Sequence, residues 1–388
     1  MIGRFNTVRS LTNGQLSISV ARASVALLRV ALLRAAFALS FLAATAHAQS
    51  LSDASVFAGP QFVSYKFGDA TTQKTVSQLS VPFAIIVPFG EKFNLDLSSS
   101  YASSEVHFAG KKTSAINGLT DVQLRGNYTL GDNVGVLTLG LNLPSGMYKV
   151  PEGQQEAAGQ IGNDFLVYPV SSMGSGLSTT GGIGFAQPVG DWNFGFGASF
   201  RRSTKFDAYV VKTQPLRFTP GDEYRLRLGV DRPVGDGRVS MGLTYSRYGK
   251  DAADSTTFAT GDRALAQAAL SIPLGGADFS ISAWNLFRAE GERIGDKAPW
   301  ENVADVTAAL GFQLGGLFVQ PSAEGRIWQV AGVHAGTLGN AGLRLRFDLA
   351  GLSINPSATY TVGRLYSTAD GSTTDVTGFR ASLLIRLH

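Results

Sequence analysis

The residues that could carry acid–base or metal chemistry are few and widely separated. The chain has four histidines and no cysteine. His107, His334 and His388 lie far apart, so no His-x-x-x-His pair occurs, and thiolate ligands are excluded. His107 and His334 are expected in exposed loops. We therefore predict no catalytic residue, no metal site and no cofactor.

Charged side chains instead recur at every second position of long segments. In one such segment Glu223, Arg225, Arg227 and Asp231 alternate with Tyr224, Leu226, Leu228 and Val230. A period of two indicates a strand between a polar and an apolar environment. A charged face would be costly in a packed core, whereas a water-filled lumen accepts it. The alternation favours a pore.

The clearest example is the segment from Gly118 to Gly146. Its first arm places Asp121 and Arg125 on the polar face and Leu124 on the apolar face. A short Gly-Asp-Asn turn leads to a second arm with leucines at alternate positions. The segment therefore predicts a β-hairpin with one continuous apolar surface.

Seven tight turns divide the chain into similar hairpins. They lie at 89–92, 130–133, 188–191, 233–237, 273–276, 314–316 and 349–351. Longer, more polar connections are expected near 67–74, 105–117, 147–177, 202–221, 248–261, 289–302, 329–339 and 366–374. Short turns at one end and long loops at the other are typical of outer-membrane barrels. We predict an all-β fold, a closed antiparallel transmembrane β-barrel of 16 strands, with 14 or 12 as alternatives.

The first 48 residues differ from the rest. They contain five arginines, no acidic residue, an apolar run and the triplet Ala46-His47-Ala48. This pattern predicts a signal peptide over 1–48 and a barrel over 49–388. An organellar transit peptide is the alternative. Without the leader, 28 basic residues face 29 acidic ones, which leaves a net charge of −1 and disfavours nucleic-acid binding.

Aromatic residues cluster near the ends of the predicted strands, among them Phe89, Trp192, Phe318 and Trp328. Two interfacial girdles would place them there. Together with the leader, this predicts a protein of the bacterial outer membrane in a Gram-negative cell. Its expected partners are outer-membrane lipid, small-molecule solutes and, during biogenesis, the barrel-assembly machinery.

One hairpin also carries a family resemblance. Gly118-Leu119-Thr120-Asp121-Val122, then Leu124, Tyr128 and Leu130, and then Leu141-Asn142-Leu143-Pro144-Ser145-Gly146 resemble the outer-membrane family of the meta-pathway of phenol degradation. Thr120 replaces the usual second glycine of that motif, and the chain ends in His388 rather than in an aromatic residue. The resemblance implies a channel for small, often aromatic or hydrophobic, compounds.

Charged lumen residues and the longest loop are the candidates for selecting solutes. We expect the loop at 147–177 to fold into the pore, with its acids across from an arginine strip on the facing strands. The arginine strip consists of Arg326, Arg344, Arg346, Arg380 and Arg386. The alternative is a solvated loop, with the arginines paired locally to Glu324 and Asp348. The pore-lining candidates are Asp121, Arg125, Glu152, Glu156, Asp164, Arg225, Arg227, Arg326, Arg344, Arg346, Arg380 and Arg386.

These patterns predict a channel for passive or selective uptake of small solutes. A FadL-like transporter of hydrophobic compounds is the first alternative. A barrel enzyme like the outer-membrane phospholipases is the second. Those enzymes carry a Ser two residues after the catalytic His on one strand. Here the residue two positions after His107 is Ala109, and the residue two positions after His334 is Gly336, which argues against that arrangement.

Overall fold

The computed structural model describes residues 54–69, 71–132, 134–147, 149–211, 213–293, 296–367 and 371–387. The predicted signal peptide, residues 1–48, and the expected cleavage point before Gln49 lie outside these ranges. Backbone contacts divide the chain after Ser52, and the unit Asp53–His388 contains all the described elements.

Sixteen strands of the described chain form one barrel sheet. They are β1 (Ser55–Ala58 and Gln61–Phe67), β2 (Gln73–Phe89), β3 (Phe93–Phe108), β4 (Thr113–Leu119 and Val122–Leu130), β5 (Gly135–Leu143), β6 (Ser178–Val189), β7 (Trp192–Ser203), β8 (Glu223–Val234), β9 (Gly237–Tyr248), β10 (Arg263–Leu274), β11 (Ala277–Arg288), β12 (Glu301–Leu314), β13 (Leu317–Val330), β14 (Val333–Leu349), β15 (Leu352–Tyr366) and β16 (Thr373–Leu387). Each pairs antiparallel with its neighbours in sequence, as in the pairing of β12 with β13. The predicted strand number of 16 is confirmed.

The barrel closes through its first and last strands. The two pieces of β1 both pair antiparallel with β16, at Val56 with Leu387 and at Gln61 with Ser382. The break between the pieces falls at Gly59-Pro60, where a Cβ on Gly59 would lie 2.0 Å from the Leu383 carbonyl oxygen. Closure leaves no unpaired sheet edge, which a strand in hydrocarbon requires.

All seven predicted tight turns are present. Each holds a glycine with positive φ, for example Gly131 at 58° and Gly351 at 73°. A side chain at such a position would strain the backbone, so glycine marks these turns in the sequence. The seven short turns lie at one end of the barrel, which defines the periplasmic end.

The opposite end contains more strand than predicted. The segments 105–117 and 329–339, predicted as loops, are largely strand, because the pairing of β3 with β4 and of β13 with β14 continues through them. His107 and His334 therefore lie on strands rather than in loops. Three further hairpins fill the loops after β7, β9 and β11: Phe206–Val211 with Gln214–Thr219, Lys250–Ala253 with Thr256–Ala259, and Gly291–Arg293 with Asp296–Ala298.

The outward face of the barrel is an exposed apolar surface. Leu139 is 74% exposed, and Tyr224 and Leu228 are more than half exposed. Trp328 and Phe318 were predicted in the aromatic girdles, but Trp328 stacks on Phe165 inside the barrel and Phe318 lies against the inward-facing Arg346. No helix among the described residues is long and apolar enough to cross a membrane.

The buried core lies inside the barrel. It combines inward-facing residues of β1 to β4, such as Val63 and Ile116, with Val303 of β12, Leu338 of β14 and Val376 of β16, and with residues from the connection between β5 and β6. A closed sheet with its apolar residues outside and its charged residues inside is an outer-membrane β-barrel. This architecture confirms the predicted localisation.

Candidate functional site

The connection between β5 and β6, residues 144–177, enters the lumen, and we call it the inner loop. It contains a short 3-10 helix, Glu152–Gln154, followed by α1, Gln155–Ile161. Its buried hydrophobic side chains pack on the inward faces of the strands; they are Val150, Ala157, Ile161, Phe165, Leu166, Tyr168, Val170 and Met173. The prediction that this loop folds into the pore is therefore confirmed in its geometry.

Two arginines on the wall hold the tip of the inner loop by its backbone. The Arg326 Nη1 donates to the Phe165 carbonyl oxygen at 2.7 Å, and the Arg380 Nη2 donates to the Leu166 carbonyl oxygen at 3.1 Å. The Asn163 side chain accepts hydrogen bonds from the amides of Phe165 and Leu166, at 2.9 and 3.0 Å. This local turn aims both carbonyls at the guanidinium groups, because it fixes the backbone between them.

Arg326 is also the cation of a buried charge cluster. Its Nε donates to Asp305 at 2.9 Å, and its Nη2 donates to Glu324. The β12–β13 register places Asp305 directly opposite Arg326 on the same face, and Trp284 lies beneath the guanidinium at 5.3 Å. Arg326 is 3% exposed. Buried charges of opposite sign that are hydrogen-bonded in this way fix each other's position.

A second set of contacts fixes the loop to β1 and β2. Gln78, fully buried on β2, accepts from the Val170 amide at 2.8 Å and donates to the Val170 carbonyl at 2.7 Å. The Tyr65 hydroxyl donates to the Leu166 carbonyl at 2.7 Å. These side chains satisfy backbone N–H and C=O groups of the loop that would be paired with a neighbouring strand in a sheet. The loop is therefore anchored on opposite sides of the barrel seam.

Asp121 clamps the base of the inner loop. Its carboxylate accepts hydrogen bonds from the Gly146 amide at 3.0 Å and the Ser175 amide at 2.7 Å, one at each end of the loop. Asn142 donates to the same carboxylate at 2.7 Å. Asp121 sits in the break between the two pieces of β4 and is 5% exposed. Asp121, which was predicted to line the pore, thus joins the two ends of the inner loop.

The acids of the inner loop meet cations other than the predicted strip. Glu156 pairs with Lys112 at 2.7 Å. Asp164 lies 3.7 Å from Arg263 and 3.9 Å from Arg288. For Glu152, at the start of the 3-10 helix, the described residues offer no ion-pair partner. The arginine strip instead meets the loop through backbone carbonyls, at Arg326 and Arg380. The predicted placement of loop acids across from the arginine strip is therefore wrong in its partners.

The rest of the arginine strip lies nearer the periplasmic end. Arg346 pairs with Asp348 at 3.0 Å, and Arg386 lies over the Phe57 ring. No described residue gives Arg344 a hydrogen bond or an ion pair. The predicted local pairing to Glu324 and Asp348 therefore holds for Arg326 and Arg346. That these residues govern conduction remains a prediction.

The inner loop leaves a cavity of about 810 Å³ open on the other side of the lumen, and we call it the lumen cavity. Its wall runs from β3 to β10. The predicted residues Arg125, Arg225 and Arg227 face it. Arg125 pairs with Asp96 at 2.8 Å, and Arg225 donates to Glu223. The polar face of the alternating segment is thus the inner surface, as predicted.

Several charged residues of the site were not among the predicted pore-lining candidates. They are Arg201 and Glu223 on the cavity wall, Arg263 and Arg288 beside Asp164, and Asp305 beside Arg326. All lie on the polar positions of alternating strands, so their inward direction was readable. Their partners were not, because pairing depends on cross-strand register and on the path of the inner loop.

The described residues contain no cluster of His, Asp and Glu suited to a metal ion. No family model and no curated protein matches the chain.

Solved structures of outer-membrane proteins match the chain at low similarity. OmpT of Vibrio cholerae is 13% identical, with 87% of this chain and 98% of that chain covered and a TM-score of 0.42. OprB of Pseudomonas putida is 11% identical over 86% and 93%, with a TM-score of 0.47. CdiB from Acinetobacter baumannii is 11% identical over 84% and 60%, with a TM-score of 0.48. These values are too low to support an assignment. The chain is identified as an outer-membrane β-barrel by its own strand pairing and by its apolar outer and charged inner surfaces.

Proposed function

We propose that this barrel is an outer-membrane channel through which small solutes diffuse down their concentration gradients. One observation carries the proposal: a cavity of about 810 Å³, whose lining includes four arginines and two carboxylates, remains beside the inner loop. Charged side chains facing an enclosed space need water, and a hydrated lumen is a path for solutes. The inner loop narrows this path and so limits solute size.

The solute class follows from the narrowing and from the hairpin resemblance. Loop side chains pack against β1 to β4 and against β12 to β16, so the lumen stays open only along the wall from β3 to β10. Small molecules fit such an opening. The resemblance of Gly118–Gly146 to the phenol meta-pathway family extends the proposal to small aromatic compounds.

Planar-bilayer recordings and liposome swelling test the proposal directly. The mature chain, refolded in detergent, should give stepwise currents in KCl and should admit small sugars, amino acids and aromatic acids at rates that fall with size. Absence of both current and swelling from a chain with heat-modifiable gel mobility would contradict a channel, because that mobility shift shows a folded barrel.

A FadL-like transporter is the second candidate, and the apolar packing in the lumen favours it. Phe165, Leu166 and Val170 form part of a hydrophobic cluster inside the barrel, where a hydrophobic ligand would find contacts if the loop moved. Preferential uptake of long-chain or aromatic compounds, with little sugar permeation, would support this alternative over a general channel.

The barrel-enzyme alternative has one observation of its own. At the outer end of β3, His107 Nδ1 lies 3.1 Å from the Thr113 hydroxyl, and its Nε2 lies 3.4 Å from Glu105. A hydroxyl, an imidazole and a carboxylate are the groups of an acyl-transfer site. All three side chains are exposed at the surface, so we include no catalytic step in the proposal. Phospholipid hydrolysis by the purified barrel that is lost on Thr113→Val would reverse this choice.

A further inference from the structure

Positive charge exceeds negative charge on the wall of the lumen cavity. Among the described residues that line it, the arginines are Arg125, Arg201, Arg225 and Arg227, and the carboxylates are Asp96 and Glu223. Asp96 pairs with Arg125. Glu223 serves both Arg201, at 3.3 Å, and Arg225. The β7–β8 part of the wall therefore has three cations and one anion.

Glu223 holds the upper two arginines in place. It is 3% exposed, and the β7–β8 register sets it directly opposite Arg201. Arg225 follows two residues later on the same face and also donates to the Ser246 hydroxyl at 3.2 Å. A single carboxylate between two guanidinium groups orients both and neutralises one charge. Arg201 and Arg225 together with Glu223 therefore present a net charge of +1 to the cavity.

Arg227 is the third cation and has no such partner. No hydrogen bond or ion pair connects it to any described residue, and its side chain is exposed to the cavity. Its cross-strand neighbours are Gly197 on β7 and Thr244 on β9, and Gly184 of β6 follows Gly197 in the same row. The two glycines have no side chains, so the space beside the guanidinium stays open. A planar fork of N–H donors next to open space is suited to a carboxylate.

We propose that Arg227, with Arg201 and Arg225 beside it, forms a binding subsite for small organic carboxylates and makes the pore anion-selective. This inference rests on the proposed channel function and names its substrate class. A solute carboxylate binds the Arg227 fork, while its organic part lies along the glycine surface of β6 and β7. Cations are repelled by the surplus charge, since the low-dielectric barrel wall focuses the field into the lumen.

Reversal potentials across a bilayer with a KCl gradient measure the selectivity. The wild-type channel should pass chloride in preference to potassium. Arg227→Gln should lower the chloride-to-potassium permeability ratio about two- to threefold, and Arg227→Glu should lower it further. The matched control is Arg232→Gln, because Arg232 lies on the outward face against Trp192 at 4.9 Å and has the same charge. The control should keep the wild-type ratio.

Block of the KCl current by benzoate separates a binding site from a general field. Benzoate should reduce the current with saturation, Arg227→Gln should raise the half-saturating concentration about tenfold, and Arg227→Lys should restore binding only in part. Three results would each overturn the inference and leave the proposed channel function intact. They are equal block by benzyl alcohol, a wild-type channel without chloride selectivity, and an Arg227→Gln channel that behaves like wild type. A folded barrel that passes no current overturns both the channel and the inference.

Discussion

The Arg326 guanidinium donates a hydrogen bond of 2.7 Å to the carbonyl oxygen of Phe165, a residue 161 positions earlier in the chain. The same guanidinium holds Asp305 and Glu324 on the barrel wall. One side chain therefore connects a buried charge cluster to the tip of the inner loop. The position of the loop, and with it the free width of the lumen, depends on this cluster.

Replacement of Arg326 by methionine should destabilise the barrel and release the loop tip. The change leaves two nearly buried carboxylates without their cation, and loss of one partner of a buried ion pair costs about 3–5 kcal/mol. The temperature at which the folded band disappears on unboiled gels should fall, and protease should cut the inner loop of the folded barrel. Both effects are read on the same gel.

Arg344→Met is the matched control for that experiment. Arg344 lies on the same wall, is exposed, and has no ion-pair partner among the described residues. Its replacement should change stability by less than about 0.5 kcal/mol. A similar loss of stability in both variants would show that removal of lumen charge, rather than loss of the Arg326 contacts, is responsible.

Deletion of 147–173 should widen the pore. The two ends can be joined without strain, because a Cβ on Gly146 would lie 2.3 Å from the Met173 carbonyl oxygen, so the flanking backbones already touch. Removing the segment empties the part of the lumen occupied by the hydrophobic cluster. Single-channel conductance should rise severalfold in planar bilayers. A folded deletion variant with unchanged conductance would show that current does not pass the inner loop.

Asp121→Asn should loosen the base of the inner loop without removing it. The wild-type carboxylate only accepts hydrogen bonds, and its donors are the amides of Gly146 and Ser175 and the Asn142 side chain. An amide in its place turns one acceptor into a donor that faces donors, at a cost of about 1–3 kcal/mol. We expect current flicker in bilayer recordings. Asp132→Asn, in an exposed periplasmic turn, should leave the current steady.

Alternation and turn glycines were sufficient to predict the barrel. The period of two in β8 gave the inward direction of Arg225 and Arg227, and the positive-φ glycines marked all seven short turns. These signals are local, because each depends only on neighbouring residues. They could not show where β3 and β13 stop, since a paired ribbon continues into water with the same alternation as a strand in lipid.

The site was harder to predict because its contacts are long-range. That the inner loop enters the lumen was expected from its length, yet Arg326 binds a loop carbonyl and not a loop acid. Every residue has such a carbonyl, so no residue type marks this contact in the sequence. Asp164 was recognised as a candidate, but its partners Arg263 and Arg288 come together only through the β10–β11 register.

High pH should release the inner loop through Tyr168. Burial raises the pKa of this phenol, and the nearby Tyr65 adds to the effect. Below about pH 10, the ordinary pKa of tyrosine, the phenol is neutral whether the loop is docked or free, so docking does not depend on pH. Above that pH the free loop loses the proton and the docked loop keeps it. Docking therefore weakens as pH rises, and conductance should increase.

Tyr168→Phe tests this directly, because it keeps the ring that packs edge-on against Tyr65 at 5.8 Å and removes only the titrating hydroxyl. That hydroxyl is buried and has no hydrogen-bond partner among the described residues, so its loss should leave docking at neutral pH unchanged or slightly stronger. The rise in conductance above about pH 10 should disappear in this variant. Tyr209→Phe, at an exposed tyrosine of the outer hairpin, should retain it. If Tyr168→Phe retained the rise as well, other groups would have to control the loop.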